Sequence, residues 1–540
     1  MTEPLLRVSK LSVALPRGGD RTHAIEDMSF DLAAGEILCI VGESGSGKSV
    51  AAAAIMGLLP PPLPVRAGSI LFEGSDLLAL PPEDMRTRRG RRLAMIFQEP
   101  MTALNPIMRV GRQIEEVLEA HGQGDGTSRR ARIIELIGTV GLPNPEEIAD
   151  TYPFRLSGGQ RQRVMIAMAL VMEPAILVAD EPTTALDVTT QAQILQLIRD
   201  LQRQRNTGVL FITHDFGVVA EIADRVAVMQ HGKLVEVGTR DQILDDPRHP
   251  YTQRLIAAVP RLAAHGRPQV DAPPLLEIAD VSKLYRSGGF LSPRREVAAV
   301  NHASLTLVRG ETLGLVGESG SGKSTLARCV VRLVEPSAGA IRFDGIDLLG
   351  LSPAAMKPHR RRIQMVFQDP FASLKPRKRV GEIVAEGPIT HGMATAQALA
   401  KAAELLSLVG LDESAIARFP HEFSGGQRQR IGLARALALE PELLIADEPV
   451  SALDVSVQAQ VLDLLAEIKA RLGLTMLFIT HDLRIAAQIC DRIAVMRRGE
   501  IVELGATAAL FAAPRHAYTR ELIAAIPGRA WEASRSTGAA

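Results

Sequence analysis

The chain has 540 residues, 46% hydrophobic and 23% charged, with 61 Lys plus Arg set against 61 Asp plus Glu. That composition excludes a disordered or fibrous chain, and the zero formal charge argues against a protein that coats nucleic acid, since neutralising phosphates needs a basic surface. At roughly 150 residues per domain, the length leaves room for three or four domains.

The opening MTEPLLRVSK lacks the basic start and apolar core of a signal peptide. No stretch reaches the 18 or more apolar residues of a membrane span. The chain is therefore expected in the cytoplasm. GEILCIV (35–41) leads into GESGSGKS (42–49) and then AAAAIMGLL, which predicts strand, phosphate loop and helix. Backbone N–H groups of such a loop wrap phosphates at a helix N-terminus. Gly42, Ser44, Gly45, Gly47, Lys48 and Ser49 are thus candidate nucleotide ligands. Lys48 would reach the β- and γ-phosphates, and Ser49 would ligate Mg²⁺.

Further along, Gln98 follows the apolar MIF and is a candidate for both the metal and the attacking water. SGGQRQR (157–163) precedes the helical run RVMIAMAL, so Ser157, Gly158, Gly159 and Gln160 predict a capped helix start with bare backbone donors. AILVAD (175–180) is continuously apolar, as in a strand buried on both faces of a parallel sheet. Asp180 at its end is placed to hold Mg²⁺ through water, and Glu181 to polarise the attacking water. His214 ends the next strand, GVLFITHD, and could hydrogen-bond the γ-phosphate. Groups at the carboxyl ends of adjacent parallel strands are where open α/β sheets place their chemistry.

The whole series then recurs. GESGSGKS returns at 317–324, FQEP (97–100) as FQDP (367–370), and SGGQRQR at 424–430. ADEP, ITHD and PRH-x-YT also recur, at 446–449, 479–482 and 514–519. The second set of candidates is Gly317, Ser319, Gly320, Gly322, Lys323, Ser324 and Thr325, then Gln368, Ser424, Gly425, Gly426 and Gln427, then Asp447, Glu448 and His481. Of these, Ser324, Gln368 and Asp447 are the second metal set. A period near 270 residues is too long for a solenoid and reads as a duplicated α/β domain. RLAAHGRPQVDAPP (261–274) has Pro, Gly and no apolar period. The division predicted is 1–262, a linker over 263–274, and 275–540. Cys39, Cys329 and Cys490 stand far apart without a CxxC pair, so neither zinc nor a disulfide framework is indicated.

Phosphate loop, Gln loop, SGGQ signature, Asp-Glu pair, TALDV and SALDV (184–188, 451–455) and the histidines occur in one order in both copies. This set resembles the ATP-binding cassette family. The resemblance implies tandem phosphate-loop ATPase domains, each a mostly parallel sheet flanked by helices with a helical signature subdomain, using ATP and Mg²⁺. It also implies head-to-tail pairing of the two cassettes within the chain. Lys48 and Glu181 would then share one ATP with Ser424, and Lys323 and Glu448 another with Ser157. QEPMTALNPIMRVG (98–111), QDPFASLKPRKRVG (368–381) and the PRH-x-YT segments look like those of dipeptide, oligopeptide and nickel importer ATPases. Ala103 and Lys375 depart from that family's SLNP pattern. The chain looks like two such ATPase subunits fused.

By resemblance the partners are two separate transmembrane permeases and an extracytoplasmic solute-binding protein, with no nucleic acid. The chain would sit peripherally on the cytoplasmic face of the inner membrane. The scattered cysteines exclude the iron–sulfur cluster of some relatives. The solute stays open among peptide, glutathione, opine and nickel. Ribosome-associated tandem cassettes are the alternative, but they carry a long charged linker, whereas this one is short and nearly uncharged. Excision-repair ATPases would need cysteine-rich zinc modules, and only the peptide-importer segments speak against export. In this family an aromatic residue usually stacks on adenine. Tyr285 stands in that region of the second copy, while the first has Leu15, with His23 or Phe30 able to substitute.

Overall fold

The computed structural model describes residues 3–16, 21–98, 103–183, 186–260, 262, 271–287, 295–369, 373–451 and 453–537. Most of the predicted linker, and parts of the Gln-loop and TALDV/SALDV segments, lie outside these. The chain forms two compact units. One comprises Met1–Leu186, Thr190–Val259 and Pro527–Ala540, the other Asp187–Thr189 and Pro260–Ile526.

The first unit opens with β1 (Leu6–Ala14) and β2 (His23–Leu32), an antiparallel pair. Their alternating pattern buries Leu6, Val8, Leu11 and Val13 on one face. β3 (Ile37–Val41) is buried at every position and runs into α1 (Lys48–Ile55). β4 (Val65–Phe72) and β5 (Ser75–Asp76) extend the antiparallel sheet to the order β2-β1-β4-β5. The sequence reading does not foresee this sheet. Its half-buried strands interleave Arg7, Ser9 and Asp27 with apolar residues, a weaker signal than a continuous run.

Next come α2 (Pro82–Arg88), β6 (Leu93–Ile96) and the helices α3 (Val110–Ala120), α4 (Gly126–Thr139) and α5 (Gly158–Leu170). β7 (Ile176–Asp180), β8 (Gly208–Thr213), α6 (Phe216–Ile222), β9 (Arg225–Gln230), β10 (Lys233–Thr239) and α7 (Pro250–Ala257) follow. The main sheet has the order β10-β9-β3-β8-β7-β6, parallel apart from β10. Every residue of β7 and β8 is buried, as expected of strands covered on both faces.

The second unit repeats this plan. β11 (Pro274–Ser287), β12 (Arg295–Val308), β14 (Ala338–Phe343) and β15 (Ile346–Asp347) form its antiparallel sheet, while β13 (Thr312–Val316) leads into α8 (Lys323–Val330). After α9 (Pro353–Arg362), β16 (Ile363–Val366) and the helices α10 (Val380–Thr390), α11 (Thr395–Leu408) and α12 (Gly425–Leu437), the main sheet resumes. Its strands are β17 (Leu443–Asp447), β18 (Thr475–Thr480), β19 (Arg492–Arg497) and β20 (Glu500–Ala506), in the order β16-β17-β18-β13-β19-β20. α13 (Ala517–Ala524) corresponds to α7. The three cysteines are buried core residues, and burial pushes the Cys39 and Cys329 thiols up.

A last helix follows α13. α14 (Arg529–Thr537) lies in the carboxyl-terminal stretch that belongs to the first unit. There Trp531 Nε1 donates to Asp245 Oδ1 at 3.0 Å. Gly528 packs so tightly on Gly217 that a Cβ would stand 2.7 Å from its Cα.

Candidate functional site

Each phosphate loop closes over its own lysine. Lys48 Nζ donates to the carbonyls of Gly42 at 2.7 Å and Glu43 at 2.9 Å, and Lys323 Nζ to Gly317 and Glu318 at 2.7 and 2.8 Å. The helix that follows starts at the lysine itself, with Gly47 or Gly322 as a left-handed cap lacking any side-chain hydrogen bond. The first-turn N–H groups are therefore left for a ligand. A Cβ at Gly322 would stand 2.1 Å from the Ala299 carbonyl, so the loop demands glycine there. Burial pulls the Lys323 ammonium down, while Glu448 and Asp447 act against that shift.

Ser49 Oγ donates to Asp180 Oδ1 at 3.1 Å, and Ser324 Oγ to Asp447 Oδ1 at 2.9 Å. Burial raises both aspartate pKa values above the ordinary range, against the serine hydrogen bonds. Hydroxyl and carboxylate oxygens side by side are a hard donor set that suits Mg²⁺. The cradle also fits phosphates. Ser46 Oγ is buried without a partner, and a Cβ at Gly45 or Gly320 would meet nothing within 4 Å.

The Gln, Glu and His candidates converge at each strand end. Gln98 Nε2 donates to Glu181 Oε2 at 3.0 Å, and His214 Nδ1 lies 3.3 Å from Glu181 Oε1. Gln368 and His481 hold Glu448 in the same way, at 2.9 and 3.3 Å. Glu181 and Glu448 both have a left-handed φ of 47°, and their N–H groups donate to Ile212 and Ile479 across the sheet. Non-glycine residues held there cost about 1–3 kcal/mol and concentrate at functional sites. Burial disfavours the Glu448 carboxylate, but the hydrogen bond and charge of His481, together with Lys323, carry it below the ordinary range. Burial likewise opposes the charged His481, and Glu448 reverses the effect and lifts it above its usual value.

The signature serines are helix caps. Gln160 N–H donates to Ser157 Oγ at 3.3 Å while Gln160 Oε1 accepts from Ser157 N–H at 3.0 Å, and Ser424 and Gln427 repeat this box at 3.4 and 3.0 Å. Gly158 and Gly425 face open space, whereas a Cβ at Gly159 or Gly426 would press on Thr190 or Val457. Tyr285 is 43% exposed on β11, its ring 5.3 Å from Lys283 Nζ, and Leu15 packs against the first unit's core.

Sequence reasoning misses two residues. Tyr251 Oη accepts from Glu43 N–H at 3.2 Å and donates to Glu43 Oε2 at 3.3 Å, and Tyr518 Oη accepts from Glu318 N–H at 3.1 Å. They stand in the PRH-x-YT segments, whose backbones are pinned by Glu236 and Glu503. Burial raises the Tyr518 phenol to about 12, so it stays a hydrogen-bonding hydroxyl at neutral pH. The signal was present, for two of only four tyrosines sit in a repeated segment. Tyr518→Phe should weaken ATP binding at the Lys323 loop about two- to tenfold, the value of one hydrogen bond. An unchanged nucleotide titration would refute that role.

Beside the Gln loop of the first unit lies a groove of about 720 Å³, lined by α2, α3 and the 103–108 loop. Ile107, in the segment that rims it, is 84% exposed.

The ABC transporter family profile matches residues 25–184 and 300–451, and that of the oligopeptide/dipeptide transporter C-terminal region matches 235–296 and 502–537. The chain is 49% identical to a peptidoglycan transport ATP-binding protein of Agrobacterium fabrum, over 97% of this chain and 96% of the relative. It is 46% identical to a glutathione import ATP-binding protein of Pectobacterium atrosepticum, over 97% and 89% of the two chains. A glutathione import ATP-binding protein of Salmonella typhimurium is 48% identical with the same coverage. With two phosphate loops, two Gln-Glu-His clusters and both profiles found twice along its length, the chain belongs to the ABC transporter family of ATPases.

Proposed function

We infer that this chain is the ATP-hydrolysing subunit of an importer for peptides or peptide-like solutes. The observation that carries the reading is the pair of Gln-Glu-His clusters beside the phosphate loops, both chemically complete. The names of the relatives and the matched peptide-transporter region support import, and nothing among them favours the ribosome-associated alternative. We take the cassettes as 1–262 and 275–540, joined through 263–274. Among the described residues no helix is long and apolar enough to cross a membrane. Transport would therefore use separate permeases at the inner membrane, with a solute-binding protein outside.

In this reading the phosphates lie on the N–H groups of α1 and α8. Lys48 and Lys323 leave their carbonyl partners for phosphate oxygens. Ser49, Asp180 and Gln98, and their counterparts Ser324, Asp447 and Gln368, would hold Mg²⁺, which when bound neutralises charge on the phosphates. Glu181 or Glu448 accepts a proton from the attacking water. His214 and His481 pass from glutamate to the γ-phosphate, which releases the carboxylate for that task. Positioning and electrostatics supply most of the acceleration, since phosphoryl transfer asks little covalent chemistry of the protein. Ring stacking on adenine would be confined to the Tyr285 side.

Vesicles holding this chain with its permeases should accumulate a labelled peptide only when ATP and the loaded solute-binding protein are supplied. ATP hydrolysis without uptake of any peptide, glutathione included, would sink the solute class. The cross-pairing of sites has its own test. Ser157→Arg should abolish photo-labelling of the Lys323 loop by an ATP analogue and spare the Lys48 loop. Loss confined to the Lys48 peptide would contradict head-to-tail pairing.

A further inference from the structure

In the first unit, the end of the β1–β2 pair that carries Leu15 and Thr22 lies against the phosphate loop. Leu15 N–H donates to the Thr22 carbonyl at 2.9 Å, and a Cβ at Gly47 would stand 2.6 Å from the Ala24 carbonyl. Beside them Arg21 Nη2 donates to the carbonyl of Gly45 in the loop itself. Arg21 Nε is buried with no hydrogen-bond partner, and among the described residues the guanidinium meets no carboxylate. A buried donor left unpaired is costly, so this side chain gains from any acceptor that arrives.

The second unit repeats the backbone here but not the side chain. On β11 and β12, Tyr285 pairs with Val297 and Arg286 with Glu296, and the Ala299 carbonyl crowds Gly322 as the Ala24 carbonyl crowds Gly47. That frame puts Glu296 at the position of Arg21, and Arg286 at the position of Pro16. Glu296 is taken up by Arg286, whose Nε lies 2.9 Å from Glu296 Oε1. Pro16 offers no such charge, and Arg21 turns to the loop instead. The first unit therefore holds a cation at its phosphate loop that the second lacks, and it is the unit whose Leu15 supplies no ring.

Lys48 shows the same arrangement, a cation parked on loop carbonyls where phosphates are expected. A guanidinium adds a planar fork of N–H donors that fits phosphate oxygens. Resting on the assignment of the phosphate loops above, we propose that Arg21 binds the nucleotide's phosphates at the first site alone. On ATP binding it exchanges the Gly45 carbonyl for phosphate oxygens, and its Nε gains the acceptor it lacks. The phosphates are its ligand rather than the base, because the guanidinium is bonded to the loop that cradles them. The two sites then grip one nucleotide by different ends, the first by extra charge and the second by the Tyr285 ring.

Titration of the full chain with a photoreactive ATP analogue, with the labelled loops mapped separately, tests this. Arg21→Gln should raise the concentration that half-labels the Lys48 loop about tenfold and leave the Lys323 loop unchanged. Arg21→Lys keeps the charge and should stay within about threefold of the unmodified chain. Salt screens such contacts, so raising it from about 50 to about 500 mM should weaken labelling of the Lys48 loop more in the unmodified chain than in Arg21→Gln. Equal half-labelling concentrations in Arg21→Gln and the unmodified chain would overturn the proposal. So would an equal loss in both variants, or a loss with unchanged salt dependence and a lowered melting temperature, the mark of an arginine that only clamps the loop. Labelling of neither loop in the unmodified chain would instead overturn the phosphate-loop assignment on which the proposal rests.

Discussion

Glu181→Gln combined with Glu448→Gln should lower steady-state ATP hydrolysis by at least a hundredfold while leaving ATP binding intact. Glutamine keeps the shape but cannot accept the proton of the attacking water, and a positioned base contributes typically 10²–10⁴-fold. Gln98 and Gln368 would still find an acceptor in the amide oxygen, so the fold of each cluster should survive. Hydrolysis within threefold of the unmodified chain in reconstituted vesicles would sink the assignment.

The same substitution has a signature in stability. Glu448 is held below its ordinary pKa and His481 above. The glutamate contribution is present above its unfolded pKa and is lost as pH falls through the lowered folded value. The histidine contribution is complete below its unfolded pKa and is lost as pH rises through the raised folded value. The pair is thus intact from mildly acidic to neutral pH, and Glu448→Gln should flatten the pH dependence of the melting temperature on both sides.

Gly322→Ala should destabilise the second unit by roughly 2–5 kcal/mol and abolish nucleotide labelling of the Lys323 loop. Its φ is 107°, and the new Cβ would be driven into the Ala299 carbonyl, a backbone atom that cannot step aside. Gly320→Ala provides the contrast. It also has a positive φ, 79°, but its Cβ would enter open space, so only the conformational cost of about 1–2 kcal/mol applies. Denaturant midpoints for the two variants measure the difference, and equal values would disprove the steric account.

What could be read from the sequence follows from how local each signal is. The phosphate loop, the capped signature helix and the strands ending in Asp180 and Asp447 are contiguous stretches whose function and backbone geometry are written together. The approach of Gln98 and His214 to Glu181 depends on strand order β8-β7-β6, which brings three chain-distant strand ends together. Sequence order alone suggested shared chemistry there but no hydrogen bonds. The left-handed turn at Glu181 and Glu448 was illegible, because glutamate is not a residue that announces positive φ. Tyr251 and Tyr518 lie 208 and 200 residues from the Glu43 and Glu318 they hold, so the repeated segment marks them out but no local pattern tells what they touch.

The return of α14 to the first unit sets an order on synthesis. Residues 1–259 leave the ribosome early, yet Asp245 and Gly217 meet Trp531 and Gly528 only after the last stretch emerges. At about 5–20 residues per second, that interval is on the order of tens of seconds. The unit begun first is therefore finished last, and the surface around α6 stays uncovered while its twin folds. A nascent chain arrested anywhere in the second half would display that surface to whatever surveys unfinished proteins, even though most of the first unit had already folded.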